Sequence, residues 1–243
     1  MERVRFTNVT KTFPVKAGRK LLRGHMRGWL APRESAFCAL RDVSFVVRDG
    51  ESLGIVGGNG AGKSTLLNLA TSLCYPDKGE VKVNGRLTAV LELGSGFHGD
   101  LTGAENLFVN AALFGLSRQR TRDLFDAIVD FAGVADFISE PLRTYSTGMI
   151  MRLAFSVAIH ADPDILVIDE VIAVGDQTFS EKCVKRILKF RHAGKTVMLV
   201  SHSLELLRLM CTRALWLDSG QVVAKGHVDE VLSAYQGRLL KPF

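Results

Sequence analysis

The segment Gly57–Thr65 constrains the fold of this chain more than any other, because it fits the phosphate-binding pattern G-x-x-x-x-G-K-[ST]. A short apolar run, Ser52–Val56, precedes it and predicts a strand, while Leu66–Ala70 continues it as a helix. A strand, a glycine-rich turn and a helix N-terminus direct successive backbone N–H groups at an anion, and the helix dipole adds to their field. The sequence therefore predicts an α/β fold of the P-loop type that binds a nucleoside triphosphate.

Each residue of this loop has an expected role toward the triphosphate. We expect Lys63 to reach the β- and γ-phosphates and the Ser64 hydroxyl to ligate Mg²⁺. The other members are expected to contribute contacts from the loop itself. They are Gly57, Gly58, Asn59, Gly60, Ala61, Gly62 and Thr65.

Size and composition limit the class of protein. With 243 residues, of which 47% are hydrophobic and 23% charged, the chain is long enough for one large α/β domain. Its four cysteines form no C-x-x-C pair, which favours a reduced cytoplasmic setting over disulfides or zinc. No apolar run follows Met1, and no stretch approaches about 18 uninterrupted apolar residues, so we expect neither a signal peptide nor a membrane span.

Hydrophobic periodicity and turn residues predict the order of the remaining elements. The predicted strands are residues 3–9, 39–47, 80–83, 87–91, 165–168, 196–200, 215–217 and 221–224. Helical patterns cover about 92–162, including one helix at 118–132, and recur at about 179–191, 204–211 and 228–235. Thr102–Glu105 is a capping box that predicts a helix start.

A pair of carboxylates follows a predicted buried strand. Ile165–Ile168 is a continuous apolar run, typical of a parallel strand buried on both faces, and Asp169 and Glu170 close it. Ligands in such sheets bind at the carboxyl ends of the strands. We expect Asp169 to hold the Mg²⁺ shell and Glu170 to orient or deprotonate the attacking water. Taken alone, the same pattern also fits a strand end with solvated acids.

Two further positions fit a nucleotide site. His202 follows the apolar run Thr196–Val200 and is placed to donate to a γ-phosphate, although a lone histidine at a strand end is usually structural. Ser146–Gly148 form a short turn that opens a helix, a second anion site built like the first. If the two anion sites lie on opposite edges of the domain, one ATP cannot occupy both in the same molecule. Two molecules arranged head to tail would sandwich ATP between them.

These motifs, in this order and spacing, resemble those of the ATP-binding subunits of ABC transporters, and the resemblance covers nearly the whole chain. It implies an ABC ATPase fold with a parallel-sheet core, an antiparallel β subdomain and a helical subdomain at about 92–162, in a single domain over residues 1–243. It implies ATP and Mg²⁺ as cofactors. It also implies a homodimer of ATPase subunits and an integral-membrane permease that holds the chain at the cytoplasmic face of the membrane.

Three motifs depart from the usual family pattern. The signature, usually Leu-Ser-Gly-Gly-Gln, reads Tyr145–Met149 here and keeps the serine and the second glycine. No glutamine lies between the lobes, and Glu92 is the best substitute, since a carboxylate still reaches Mg²⁺ or water. The loop Ala173–Asp176 replaces the usual Ser-Ala-Leu-Asp, and Asp176, which matches its last position, is counted among the ATP-binding residues.

Together these departures resemble one branch of the family. Glu-Leu-Gly-x-Gly-Phe-His, Tyr-Ser-x-Gly-Met and Ala-Val-Gly-Asp are similar to motifs of ATPases that export O-antigen, capsule or teichoic acid. The cargo that this implies is a lipid-linked polysaccharide, moved through the permease. Some O-antigen members carry a C-terminal carbohydrate-binding domain, for which we expect no room before Phe243.

The end of the first strand and the insertion after it have separate expected roles. Phe13 lies where the family's adenine-stacking aromatic residue is expected, although it also fits a core position. The basic insertion, at about 14–36, carries six basic residues against one acid and an apolar helical face that includes Trp29. Such a helix suits an anionic membrane surface or an anionic lipid-linked substrate. A solvated insert packed on its own domain stays open as the alternative.

Several functional classes compete, and the sequence favours an ATPase that dimerises around ATP and powers a polysaccharide-exporting permease. An ABC transporter ATPase for another substrate is the alternative within the same class. A soluble ABC ATPase of translation or DNA repair usually carries two nucleotide domains or long coiled-coil insertions. A regulatory subunit with little hydrolysis is opposed by the intact set of Lys63, Ser64, Asp169, Glu170 and His202. No aromatic-and-basic recognition motif appears, so we expect no nucleic acid partner.

Overall fold

The computed structural model describes residues 1–14, 36–90, 96–169 and 176–239. Glu92 and Glu170, two of the predicted site residues, lie outside these ranges. So does the basic insertion, apart from its first and last residues, Pro14 and Ala36.

The described residues form nine strands, seven α-helices and two short 3₁₀ helices, Ala135–Phe137 and Leu142–Thr144. The strands are β1 (Glu2–Pro14), β2 (Ala36–Arg48), β3 (Ser52–Val56), β4 (Lys78–Val83), β5 (Leu87–Val90), β6 (Ile165–Asp169), β7 (Thr196–Val200), β8 (Arg213–Asp218) and β9 (Gln221–His227). The helices are α1 (Lys63–Ala70), α2 (Gly103–Leu113), α3 (Arg118–Ala132), α4 (Thr147–His160), α5 (Gln177–His192), α6 (Leu204–Met210) and α7 (Val228–Leu239).

The central sheet has six strands in the order β5-β6-β7-β3-β8-β9. The first five strands are parallel, and β9 adds antiparallel to β8 as a hairpin. All residues of β3 and β7 are buried, which explains why both read as continuous apolar runs. Because β3 is flanked by β7 and β8, the loop that follows it emerges from the middle of the sheet edge.

A second sheet, antiparallel and ordered β2-β1-β4, packs against the core through its apolar face. Stacked rings of Phe6 and Phe45, with centroids 4.6 Å apart, fill its centre. The predicted first strand ended at Val9, whereas β1 continues to Pro14. Asn8, with φ of 48°, interrupts the alternation of side chains and donates to Asp42 across the sheet, so periodicity alone loses the strand there.

The helices α2, α3 and α4 pack together around an apolar cluster of their own, which includes Leu107, Ile128 and Leu153. The capping box at Thr102 is present, with the Thr102 hydroxyl and the Glu105 carboxylate exchanging hydrogen bonds with each other's backbone. The predicted helix at 118–132 and the predicted strands at 52–56 and 196–200 have the bounds of α3, β3 and β7. The predicted α/β fold, with its parallel core and antiparallel sheet, is confirmed.

The four cysteines are unpaired. Across residues 1–14, 36–90, 96–169 and 176–239, no helix has both the length and the apolar character needed to cross a membrane.

Candidate functional site

The loop between β3 and α1 is shaped by glycines at close backbone contacts. Gly62 precedes the first residue of α1 and has a left-handed φ of 104°. A Cβ atom there would lie 2.6 Å from the carbonyl oxygen of Ala39, so β2 leaves no space for a side chain. Within the described residues no side chain caps α1, and its first-turn N–H groups are available to an anion.

Lys63 is held over the loop that precedes it. Its Nζ donates to the carbonyl oxygens of Gly57 at 2.8 Å and Gly58 at 3.1 Å. These bonds keep the ammonium group beside the backbone amides of the loop, where a phosphate oxygen would replace a carbonyl as its acceptor. The loop therefore places a positive charge and a helix N-terminus at one point.

A cavity of about 290 Å³ lies at this point and collects residues from five elements or their ends. Its lining residues are Phe37, Ala39, Asn59, Gly60, Ala61, Gly62, Lys63, Ser64, Thr65, Asp169 and His202. Asp169 ends β6 in register with Val200 of β7, and His202 follows two residues later. The sheet thus brings an acid and a histidine, predicted from separate motifs, to the same cavity as the phosphate loop.

His202 lies in a turn with internal hydrogen bonds. The Ser203 backbone N–H donates to the Ser201 hydroxyl at 3.1 Å, and the Ser203 hydroxyl accepts from Leu206 N at 3.2 Å, which caps α6. The exposed His202 side chain is therefore carried on a turn that is fixed on both sides. The cap at Ser203 was not predicted, although a serine before an apolar helix is a recognisable signal.

Two aromatic residues lie side by side near the phosphate loop. Phe37 lines the cavity, and Phe13, its neighbour across the β1–β2 ladder, is not among the described lining residues. Both rings are exposed, at 53% for Phe37 and 40% for Phe13, and Lys11 Nζ lies 5.5 Å from the Phe13 ring centroid. Phe37 was missed from the sequence because it directly follows the insertion, where no strand was predicted.

The signature turn lies at the start of α4. The Ser146 hydroxyl accepts from Met149 N at 3.2 Å and caps the helix, while the Ser146 side chain is exposed. Among the described residues, neither Ser146 nor Gly148 lines the cavity at the phosphate loop. The structure of one chain therefore does not bring the two predicted anion sites together.

Asp176 is engaged at the start of another helix. Its Oδ1 accepts from Phe179 N at 2.8 Å and caps α5, and its Oδ2 lies 3.9 Å from an Arg152 guanidinium nitrogen on α4. Asp176 is not among the described lining residues of the cavity. Its carboxylate joins α5 to the helix of the signature turn.

Asn106 is a buried residue that the sequence reasoning missed. Its Nδ2 donates to the carbonyl oxygens of His98, Leu101 and Thr102, and its Oδ1 accepts from His98 N at 2.7 Å. A polar side chain within an apolar helical face was the available signal. Asn106 fixes the loop at residues 98–102, which leads into α2.

The fold and the cavity define a nucleotide-binding protein of the P-loop class. The model of the ABC transporter family matches residues 40–173, more than half of the chain. The chain belongs to the ABC transporter family, as its ATP-binding component.

The relatives are ATP-binding proteins of export systems. The O-antigen export system ATP-binding protein RfbB of Klebsiella pneumoniae is 40% identical over 96% of this chain and 97% of that protein. RfbB of Myxococcus xanthus is 45% identical over 87% of this chain, and the teichoic acids export protein TagH of Bacillus anthracis is 43% identical over 84%. The chain spans nearly the whole Klebsiella protein, but 48% of the Myxococcus protein and 37% of the Bacillus protein.

The fold matches solved ATP-binding cassettes. The cassette MJ0796, solved as a dimer in a post-hydrolysis state with ADP and Pi, has a TM-score of 0.74 at 24% identity, over 93% of this chain and 98% of that chain. An ATP-binding subunit of an ABC transporter has a TM-score of 0.77 at 22% identity, over 96% and 93%. Both comparisons agree with the α/β cassette fold.

Proposed function

We propose that this chain is the ATP-hydrolysing subunit of an exporter, which dimerises around ATP and drives a membrane permease that moves a lipid-linked polysaccharide. The observation that carries the proposal is the cavity at the phosphate loop, where Lys63, Ser64, Asp169 and His202 converge. The cargo rests on the relatives, whose names specify export of O-antigen and teichoic acids. Residues 1–243 form a single ABC ATPase domain in this proposal.

The same cavity has oxygen ligands suited to Mg²⁺. Ser64 offers a hydroxyl and Asp169 a carboxylate, both in the cavity lining. Mg²⁺ in nucleotide sites typically takes one or two protein oxygens, with waters and phosphates completing its shell, so this small set fits. Held by the Ser64 hydroxyl and the Asp169 carboxylate, Mg²⁺ would neutralise negative charge on the phosphates.

The chain's own groups divide the remaining work. The amide groups of Gly60–Thr65 and the Lys63 ammonium bind the phosphates, and His202 donates to the γ-phosphate. Glu170, the next residue after Asp169, orients or deprotonates the attacking water, and Glu92 reaches Mg²⁺ or water from the loop between the lobes. Catalysis of this kind is mainly positioning and charge stabilisation.

The second anion site requires a second copy of the chain. Ser146 and Gly148 lie outside the cavity of their own chain, at an exposed helix start, so they are free to contact the γ-phosphate held by a partner copy. A head-to-tail pair creates two such composite sites. Asp176, which caps α5 and pairs with Arg152 of α4, supports the signature helix beside this contact.

The permease would dock on the helical lobe. A groove of about 690 Å³ lies along α2 and the start of α3, with Leu101, Phe108 and Leu116 in its lining. Leu113 and Val109 of the same helix are 68% and 43% exposed. Docking here transmits closure of the ATP dimer to the membrane and holds the chain at its cytoplasmic face.

Complementation between two inactive variants tests the composite site. Lys63→Ala disables the phosphate loop and Gly148→Asp places a negative charge at the signature turn. Each alone should have almost no ATPase activity. Random mixing makes half of the dimers mixed, each with one intact site, so up to about a quarter of wild-type activity should return. No recovery on mixing would contradict a shared site.

The cargo and partner need a separate experiment. Glu170→Gln should arrest hydrolysis and trap the ATP-bound dimer on its permease, and the complex can then be purified from membranes with ATP. Mass spectrometry should find a polytopic membrane protein and a lipid-linked glycan. Purification of the trapped dimer with ribosomes or DNA instead would favour a soluble ABC ATPase.

The basic insertion is proposed to lie near the anionic leaflet and to help admit the lipid-linked substrate. Charge reversal at Arg23 and Arg27 should then reduce export and any lipid stimulation of the ATPase, while basal activity is retained. Unchanged export would leave the insertion as a solvated surface element.

A further inference from the structure

The turn between β8 and β9 lies directly against the phosphate loop. Ser219 and Gly220 form this turn with φ of 49° and 76°, a left-handed pair that closes a tight hairpin. The sequence predicts the two strands of this hairpin at 215–217 and 221–224, and none of their residues belongs to a nucleotide motif. Its position beside the phosphate loop allows the turn to contact that loop directly.

Gly220 connects the phosphate loop to β2 through its own backbone. Its N–H donates to the carbonyl oxygen of Ala61 at 3.0 Å, and its carbonyl oxygen accepts from Arg41 N at 2.8 Å. Ala61 belongs to the phosphate loop, and Arg41 follows Ala39, another cavity residue, by two positions. One peptide unit on each side of Gly220 thus joins two walls of the nucleotide cavity.

Steric contact makes this connection tight. A Cβ atom on Gly220 would lie 2.6 Å from the carbonyl oxygen of Ala39, and one on Gly57 would overlap the carbonyl oxygen of Leu217. Both neighbours are backbone atoms, which cannot turn away as a flexible side chain does. The hairpin therefore touches the beginning and the middle of the phosphate loop, at Gly57 and Ala61.

We propose that Gly220 is a positioning residue for nucleotide binding, and that the β8–β9 turn holds the phosphate loop in its anion-binding conformation. The inference rests on the proposed nucleotide site. It adds a structural support for the phosphate loop, at Gly220, that lies outside the nucleotide motifs. A side chain at Gly220 must displace β2, or the turn must move away from β2 and disturb its hydrogen bond to Ala61. In catalytic sites, a misplacement of about 1 Å caused by a distant mutation can cost about 100-fold in rate.

The C-terminal helix fixes the other end of the turn. An Arg238 guanidinium nitrogen lies 2.7 Å from Asp218 Oδ2, and the same guanidinium lies over the Trp216 ring at 5.5 Å. Asp218 immediately precedes the turn. A small loosening of the turn can therefore be made from α7, without adding a side chain near the cavity.

Gly220→Ala has a matched control in Gly194→Ala. Gly194 has nearly the same φ, 75° against 76°, but no atom lies within 4 Å of a Cβ added there. Both variants carry the strain of a left-handed alanine, and Gly220→Ala alone adds a clash at the cavity wall. The affinities of the two variants are compared by calorimetric titration of the full chain with ATP and, separately, with inorganic tripolyphosphate. Each variant is titrated at the same interval below its own melting temperature.

We expect Gly220→Ala to weaken binding of both ATP and tripolyphosphate by about tenfold relative to Gly194→Ala, because the phosphate loop itself is displaced. Equal affinities in the two variants would overturn the proposal. Loss of ATP binding alone would also overturn it, since that would place the effect at the adenine end. A wild-type chain that binds neither ligand would refute the nucleotide site, which distinguishes the two failures.

A second pair of variants covers the case in which Gly220→Ala does not fold. Arg238→Gln removes the ion pair with Asp218, and Arg208→Gln removes a different ion pair to α7, at Asp229. Arg238→Gln should weaken tripolyphosphate binding by about threefold, and Arg208→Gln should leave it unchanged. Equal tripolyphosphate affinities in Arg238→Gln and Arg208→Gln would contradict a supporting role of the β8–β9 turn.

Discussion

Two helices of this protein, α1 and α4, begin at positions that suit an anion, and they are built differently. Before α1 stands Gly62, in a left-handed conformation and without a side-chain cap, so the first-turn amides of α1 face the cavity that Lys63 shares. Before α4 stands Ser146, whose exposed hydroxyl already accepts from Met149 N. The first start is enclosed by β2 and the β8–β9 turn, whereas the second lies at the surface.

This contrast indicates which of the two anion sites is complete within one chain. The start of α1 has a cation, a cavity and an aromatic neighbour at Phe37, so it can bind a nucleotide alone. The start of α4 has a polar cap and open space, and in our proposal it acts only on a nucleotide presented by another copy. Variants at the start of α1 should therefore impair ATP binding, and variants at the start of α4 should impair ATP hydrolysis alone.

The largest effect is expected at the first start. Lys63→Ala removes the ammonium group that the carbonyls of Gly57 and Gly58 hold over the loop, and with it the charge opposite the developing phosphate charge. ATPase activity should fall by at least about 100-fold, and ATP affinity should fall with it. Lys189→Ala, at an exposed position of α5, is the control and should behave as wild type.

A variant at the start of α4 should slow ATP hydrolysis without changing ATP affinity. Gly148→Ala meets only the Ser146 hydroxyl, 3.9 Å away, so within one chain the methyl group fits and stability should change by less than about 1 kcal/mol. We expect unchanged ATP affinity of the isolated chain and at least about tenfold slower ATP hydrolysis, because the methyl group enters the contact with a second copy. Normal ATP turnover in Gly148→Ala would contradict a role for the start of α4 in the site of a second copy.

Variants at Phe37 test whether the site at the start of α1 recognises the adenine base as well as the phosphates. Phe37→Ala should weaken ATP binding by about tenfold, in line with about 1–3 kcal/mol for a stacked base, and should leave tripolyphosphate binding unchanged. Phe13→Ala is the matched variant on the adjacent strand position. A larger loss in Phe13→Ala than in Phe37→Ala would return the adenine contact to Phe13, as the sequence predicted.

A smaller effect, on stability, is expected at Tyr145, which lies just before the start of α4. Tyr145 Oη donates to the carbonyl oxygen of Phe137 at 2.6 Å, and the ring is buried in the helical lobe. Tyr145→Phe removes this bond and should lower the free energy of unfolding by about 1 kcal/mol, measured by urea denaturation. ATP affinity of the isolated chain should stay within about twofold of wild type, since the lobe is separate from the cavity.

The smallest effect concerns pH and the loop beyond α1. Asp77 accepts from Thr12 N, from the Thr12 hydroxyl and from Lys11 Nζ, and these bonds lower the pKa of its carboxyl to about 2. Since the folded pKa lies below the unfolded value of about 3.9, the stabilisation is present above pH 4 and is lost as pH falls towards 2. Asp77→Asn should therefore reduce the pH dependence of unfolding in that window. An unchanged pH profile would show that solvent screens these bonds completely.

Much of the fold was predictable because its signals are local. Buried parallel strands read as apolar runs, and a capping box at Thr102 marks a helix start. The elements that were missed or shortened have non-local causes. β1 continues past the irregularity at Asn8 because β2 and β4 pair with it, and Phe37 becomes a cavity residue because β2 begins immediately after the insertion.

The amino-acid sequence alone specifies the phosphate loop, the order of the strands that lead to Asp169 and His202, and the resemblance that the comparisons support. These follow from short-range chemistry, in which glycines, apolar runs and caps specify their own segments. Only the tertiary structure decided that Phe37 lines the cavity, that Ser146 lies outside it, and that Gly220 touches the loop at Ala61. Those relations depend on packing between segments that are not adjacent in the chain, and contacts of that kind leave no periodic signal in the sequence.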